Sequence, residues 1–267
     1  MSENLSKLHR SLDSYYSSNY LSSWCSSVKI EWTEFLDRAF SGTVPSILGS
    51  GDKKVILDIG CGPSISNIIS ASKYCSQIIM ADYLTSNRDE VKRFKNRDQD
   101  GYSWNHYFNF LGVLELNKNV DDIAERTRKA IKVSVSKPLN NILIDLLFQD
   151  VIYCDVTRTD VFAESHEAAA EFDVIIASLV FDVVAVSPKA FTKALKNVLQ
   201  YLKQNGLIII HGSIGEHMYT VGSAAFPAME ADEKMLFDIF KNCGLEVIKW
   251  ELCVKISTHY YTIVKKT

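Results

Sequence analysis

The sequence holds no Cys-x-x-Cys pair, no His-x-x-x-His and no His/Cys grouping at ligand spacing, although it contains six cysteines and six histidines. Nothing in it points to a zinc centre, and no metal is expected. A surplus of positive charge is also missing: 29 Lys and Arg stand against 32 Asp and Glu, a net charge of −3. Such a chain has no global field to hold a polyanion, so nucleic acid is not an expected partner. No apolar run approaches the length of a bilayer span. The longest, Val174–Phe181 and Leu207–Ile210, are far too short, and no membrane association is expected. Met1 to Tyr16 is polar and serine-rich rather than a secretory signal, so a cytoplasmic protein with reduced thiols is expected. Only five prolines and 12 glycines among 267 residues, with 47% hydrophobic, exclude a fibrous or largely disordered chain.

What is present fits one α/β domain spanning 1–267, with a helical cap over 1–50 and an inserted helical lobe over 83–149. In the cap, Val28, Trp32, Phe35, Leu36, Ala39 and Phe40 recur at helical spacing, an apolar stripe that must dock on something. A flexible stretch from Ser41 to Gly51 is expected to follow. Short apolar runs then read as strands: Lys54–Ile59, Gln77–Ala81, Asp150–Cys154, Phe172–Ser178 and Leu207–His211. Helices alternate with them. One is punctuated by Ser187 as N-cap, Pro188 as its first residue and Gly206 past its end, with Phe191, Leu195, Val198, Leu199 and Leu202 as its stripe. Another covers Asp232–Cys243. This alternation implies a mostly parallel sheet covered on both faces. The last strands, Leu245–Val254 and Thr258–Val264, are too close for a crossover and must be antiparallel. Within the lobe, Ser86–Lys95, Trp104–Leu114 and Val120–Val133 read as helices. Trp104, Tyr107, Phe108 and Leu111 form either a core stripe or an aromatic wall, the core being favoured.

The first strand ends in Asp58-Ile59-Gly60-Cys61-Gly62-Pro63, where two glycines let the backbone pass close to an anionic ligand at a helix start. The dinucleotide pattern fails at its third glycine, which is Ile65, and Pro63 removes an N–H that a pyrophosphate would use. Asp82 closes the second strand 22 positions after Gly60, where an acid can accept from ribose hydroxyls or cap the next helix. Asn87, one turn on, is a ligand contact or a helix-start residue. In Cys154-Asp155-Val156-Thr157 the acid can take an adenine amino group while Val156 packs on the ring. Asp182, after the apolar fourth strand, is a site carboxylate or a helix cap.

On these residues the chain resembles the S-adenosylmethionine-dependent methyltransferases with a seven-stranded Rossmann-like sheet. More narrowly it resembles the small-molecule N-methyltransferases that act on nicotinamide, phenylethanolamine, indolethylamine and thioethers. Asn19-Tyr20-Leu21, Asp58–Pro63, Ala81-Asp82-Tyr83 with Asn87, Tyr102-Ser103-Trp104, Cys154–Thr157, Ser178 to Asp182 and Tyr219-Thr220-Val221-Gly222 carry the likeness in order and spacing. The resemblance implies S-adenosylmethionine as cofactor and S-adenosylhomocysteine as product. Tyr20 would close over the methionine carboxylate, with Trp24 and Cys25 nearby. Gly60, Cys61, Gly62 and Pro63 would meet the methionine end, Asp82, Tyr83 and Asn87 the ribose, Asp155 and Val156 the adenine, and Ser178 the far side. Cys25 and Ser66 depart from tyrosines common in the family.

The family's acceptor end falls on His211 to Tyr219. The nicotinamide branch has an Asp at Gly212, so its absence argues against that substrate. The phenylethanolamine branch has a Glu and a Tyr at Glu216 and Tyr219, but its acidic loop between the last strands is missing here between Glu251 and Tyr260. Glu216, with Asp182 and Tyr219, is therefore the candidate for orienting or deprotonating a small primary or secondary amine. Glu216 is otherwise a solvated loop carboxylate. His211 and His217 are proton shuttles or, the favoured reading, structural donors. The expected protein is a monomeric amine N-methyltransferase. The alternatives are a cofactor-binding regulatory protein on the same fold, or methylation of a pyridine nitrogen or thioether.

Overall fold

The computed structural model describes residues 13–51, 54–75, 77–132, 151–163, 171–255 and 257–267. Seven strands form one sheet: β1 (Ile56–Ile59), β2 (Ile78–Asp82), β3 (Val151–Tyr153), β4 (Phe172–Ser178), β5 (Leu202–Ile214), β8 (Leu245–Val254) and β9 (Thr258–Lys266), in the order β3-β2-β1-β4-β5-β9-β8. Between β5 and β8 in sequence lies a separate hairpin, β6 (Met218–Val221) and β7 (Ala224–Pro227). The pairs among β1 to β5 are parallel, and β9 runs antiparallel to both β5 and β8. This is the mixed α/β sheet, mostly parallel with a C-terminal antiparallel pair, that the strand pattern implies. The chain builds outward from β1 in one direction and from β4 in the other, so a crevice opens at their carboxyl ends.

The strands hold because alternate residues enter different cores. Ile56, Ile78, Met80, Val174, Ile176, Leu207 and Ile209 join one cluster. Leu57, Ile59, Ile79, Ala81, Ile175, Ala177, Ile208 and Ile210 join the other. On the first face pack Trp32, Phe35 and Leu36 of the helix Ile30–Arg38, with Ile68 and Ile69 of Ser66–Ala71 and Tyr107, Phe108 and Leu111 of Asn105–Leu114. The second takes Phe191, Leu195 and Val198 of Pro188–Leu199 with Leu236, Ile239 and Phe240 of Glu233–Asn242. Both of these helices start as their sequences require: the Ser187 hydroxyl accepts from Ala190 N and the Asp232 carboxylate from Met235 N. The cap stripe thus docks on the sheet itself.

Several boundaries differ from expectation. Ser41 to Gly49 is no flexible linker: a π-helical turn, Ala39–Thr43, leads into a helix, Val44–Leu48. Burial of Phe40 and Val44 overrides the Gly and Pro content, and Pro45 sits at a helix start, where its missing N–H costs nothing. Leu202 belongs to β5, opposite Phe172, and not to the preceding helix, which stops at Leu199. The polar turn Lys203–Gly206, with Asn205 at φ 63°, sits inside that strand's span. In the lobe the helices run Thr85–Asn96, Asn105–Leu114 and Val120–Ala130. Ile131 then bridges Ile78 in parallel. Asp150 and the lobe's last part, 133–149, lie outside the described residues.

Candidate active site

At the crevice lies a cavity of about 320 Å³. Its floor is the ends of β1, β2, β3 and β4, and its walls include Tyr20 of the helix Asp13–Ser23, Trp24 just past that helix's end, and Met218 to Thr220 of β6. The Trp24 indole donates to the Thr220 carbonyl at 3.0 Å, tying this helix to the hairpin over the opening.

The glycine turn is shaped by backbone. Gly60 and Gly62 stand at φ 62° and 61°, a conformation that L side chains rarely adopt. A Cβ at Gly60 would lie 2.6 Å from Val180 Cγ2, and one at Gly62 would face the Tyr20 ring at 3.9 Å. The first glycine is thus needed for close packing and the second leaves a slot under Tyr20. Asp82 holds this turn from β2. One carboxylate oxygen accepts from Gly62 N at 2.9 Å, the other from Leu84 N at 2.8 Å and from Asn87 Nδ2 at 3.0 Å. Burial raises its pKa, and these three donors work against that rise. Asn87 Oδ1 is buried and finds no hydrogen-bond partner among the described residues. A buried acceptor left unpaired in a cavity wall asks for a donor from a ligand. Asp155, at the end of β3, is fixed by Thr157 N at 3.0 Å and the Thr157 hydroxyl at 2.7 Å.

Beneath the turn, Asp58 is fully buried and accepts from Asn67 Nδ2 at 3.1 Å, while Asn67 Oδ1 accepts from the Trp32 indole at 2.9 Å. Burial raises the Asp58 pKa to about 8, the Asn67 hydrogen bond opposing and the Asp82 charge adding.

Across the cavity, Asp182 takes Ser213 N at 3.2 Å and the Ser213 hydroxyl at 2.9 Å, and burial raises its pKa. Glu216 is half-buried on the wall and makes no hydrogen bond or ion pair among the described residues. Tyr219 stacks on Phe226 with ring centroids 5.1 Å apart. Ser178 Oγ lies 2.9 Å from His211 Nδ1, and His211 Nε2 lies 3.2 Å from His259 Nδ1.

The cavity thus brings together Tyr20, Trp24, Gly60, Gly62, Asp82, Tyr83, Asn87, Asp155, Val156, Ser178, Asp182, Glu216 and Tyr219. Three residues expected on the cofactor side are off its wall. Cys25 is buried beside Ser64, its thiol pushed up to about 12 by desolvation. Cys61 is buried and its thiol donates to the Gly62 carbonyl. Pro63 is buried behind the turn. Trp104, Tyr107, Phe108 and Leu111 are core and not cavity wall. His217 is exposed and off the wall. Gly212 is off it too, and a Cβ there would stand 2.4 Å from Tyr260 Cε1, so a side chain would require the buried Tyr260 ring to move. Sequence reasoning missed Ser257 and His259, which the final hairpin carries onto the wall. The register opposite Ser213 is the signal that places His259. Among the described residues lining the cavity there are acids but no Lys or Arg.

Human nicotinamide N-methyltransferase is 22% identical over 197 residues, 73% of this chain and 67% of that protein. Human phenylethanolamine N-methyltransferase is 21% identical over 199 residues, 74% of this chain and 65% of that protein. The aligned part therefore spans about two thirds of these relatives. The fold is that of the magnesium protoporphyrin IX methyltransferase of Synechocystis, solved with S-adenosylmethionine bound: TM-score 0.60, 8% identity, 98% of this chain and 97% of that one covered. The family model described as NNMT/PNMT/TEMT matches residues 7–266, from the helical cap through both sides of the cavity to the last strand, and the chain belongs to that family.

Proposed function

We propose that the protein transfers the methyl group of S-adenosylmethionine to the nitrogen of a small-molecule amine. The observation that carries this reading is the cavity's polarity: among the described residues, one end offers an unpaired Asn87 oxygen beside Asp82, the other an unpaired Glu216, and no Lys or Arg lines either. The residues fit the cofactor. Asn87 Oδ1 and Asp82 would take ribose hydroxyls, Asp155 and Val156 would hold the adenine, and the slot above Gly62 would take the methionine end under Tyr20. When bound, the cofactor supplies an electrophilic methyl group on a sulfonium.

Little acid–base machinery is needed for in-line attack by a neutral nitrogen. The protein's work is to align donor and acceptor and keep water out. Trp24 and Tyr20 cover the cavity from one side and Tyr219 from the hairpin. Glu216 draws the ammonium form of the acceptor to the site and orients it. Asp182 acts differently: its carboxylate is bound to Ser213 and fixes the end of β5 relative to β4. Tyr260 occupies the space beside Gly212, and with no acidic side chain at that point nicotinamide is disfavoured as the acceptor.

The test is incubation with labelled S-adenosylmethionine and a pool of amines, pyridines and thioethers, followed by mass spectrometry. A methylated amine is expected, with adenosylhomocysteine but not NADH raising the unfolding temperature. Protection by adenosylhomocysteine without transfer to any amine would overturn the reading in favour of a cofactor-binding regulatory protein.

A further inference from the structure

The histidine pair joins two parts of the cavity wall. Ser178 Oγ lies 2.9 Å from His211 Nδ1, His211 Nε2 is 3.2 Å from His259 Nδ1, and His259 Nε2 is 2.9 Å from Ser257 Oγ. Both serines and His259 line the cavity. His211 is buried, with the Trp32 ring at 4.9 Å and the Tyr261 ring at 5.1 Å. Every member of this chain can both donate and accept, so its protons have two settings. In one they point toward Ser178, in the other toward Ser257. Accepting a proton at one end and releasing one at the other converts the first setting into the second with no change in the heavy-atom path.

We propose that the chain Ser257–His259–His211–Ser178 carries off the proton that an acceptor amine must lose before methylation, with Ser257 and His259 at the receiving end. This rests on the reading of the cavity as an amine N-methyltransferase site. An ammonium R–NH3+ gives one proton to Ser257 Oγ, whose own proton passes to His259 Nε2. The Nδ1 proton of His259 moves to His211 Nε2, that of His211 Nδ1 to Ser178, and the Ser178 hydroxyl proton leaves to water. The lone pair left on nitrogen forms the new N–C bond while the methyl carbon's bond to sulfur breaks with its electron pair. The product is the ammonium R–NH2–CH3+.

The surroundings suit a relay that passes a proton on. Burial lowers the pKa of both imidazoles, so both are neutral at pH 7 and open to a proton. Around His259, the Gly212 carbonyl and Glu216 favour the proton and Lys29 opposes it, and Cys253 is its cross-strand partner on β8. Around His211 stand His259 and Lys29, which oppose the charge, and the Tyr261 ring.

The experiment uses the full chain, His259→Gln and His211→Gln, with 2-phenylethylamine, benzylamine and tryptamine as acceptors. Both variants should keep their stabilisation by adenosylhomocysteine. At pH 7 each should lose about a hundredfold in kcat with little change in amine KM, as expected for a lost proton-transfer group. The double variant should be no slower than either single one. The deficit should shrink below about tenfold by pH 10, where about half of the amine is already neutral in solution; damage to packing would give the same deficit at every pH. Independently of turnover, 15N spectra of labelled histidine rings should show one protonated nitrogen per ring at pH 7, and His211→Gln should shift the His259 tautomer. Variants that match wild type in rate and pH profile, or an unmoved His259 tautomer, overturn the relay alone. A wild-type chain that methylates none of these amines overturns the underlying reading and the relay with it.

Discussion

At the end of the cavity built by β1, β2 and β3, polar side chains are already held by the protein's own donors. Asp82 receives three hydrogen bonds and Asp155 two. At the end built by β5 and the β6–β7 hairpin, Ser213 holds Asp182, but Glu216 has no such partner among the described residues, Met218 is 46% exposed, and a bond from Trp24, just past the helix above, reaches the hairpin. The first end is pre-organised for one ligand, with little left to order on binding. The second can adjust to the shape of its ligand. A family that shares a cofactor and varies its acceptor needs this division.

The largest effect is expected where the organised end is broken. Asp82→Ala strands the Gly62 and Leu84 amides and the Asn87 amide, each a charge-assisted bond of about 1.5–3 kcal/mol. Adenosylhomocysteine affinity, measured by calorimetry, should fall about a hundredfold or more. A loss under threefold would mean that Asp82 only caps the next helix and that this end is no more organised than the other.

Glu216→Gln tests the adjustable end. The side chain is half-exposed, so its attraction for an ammonium group is screened. Amine KM at pH 7 should rise about tenfold, while adenosylhomocysteine affinity stays within twofold of wild type. If the cofactor product is weakened as much as the amine, the two ends are not separate. An unchanged KM would make Glu216 a solvated loop residue.

The same division sets how much could be read from the sequence. Strand ends, glycines and the acid 22 positions on fix the organised end, because it is made of backbone turns whose residue types are dictated by φ and by close approach. Gly62 and Asp82 are legible for that reason. Cys25 and Cys61, each one residue from a wall position, are buried in the core instead, and neighbouring positions cannot be told apart without the turn's geometry. The β6–β7 hairpin left little trace: only Val221 and Phe226 form its buried centre, too few for a period. His259 looks like any residue of an alternating strand. Its place at the cavity follows from long-range pairing of β9 with β5, which no local pattern encodes.

A smaller effect is expected from the tie between the ends. Trp24→Phe keeps an aromatic ring beside Tyr20 but removes the N–H that reaches the Thr220 carbonyl. One neutral hydrogen bond contributes about 1 kcal/mol net, so kcat/KM for the amine should drop about fivefold, with adenosylhomocysteine affinity changed by less. Equal losses for both ligands would show that the helix serves the cofactor end as much as the acceptor end.

The last effect is on stability instead of on binding or turnover, and concerns what lies under the organised end. Asp58 has a folded-state pKa of about 8, against about 3.9 in an unfolded chain. A raised pKa means that the native state keeps the proton, so its stabilisation is complete below pH 4 and is lost as pH climbs through 8. Asp58→Asn cannot titrate. Its buried amide still faces Asn67 Nδ2, and it costs stability at low pH through an unpaired N–H. The Tm gap between wild type and variant should therefore narrow by about ten degrees from pH 5 to pH 8, because nearly three pKa units of linkage amount to about 4 kcal/mol. A gap that stays constant would mean that Asp58 is ionised throughout, held by Asn67, and that the Trp32–Asn67–Asp58 path supports the glycine turn through charge instead of a shared proton.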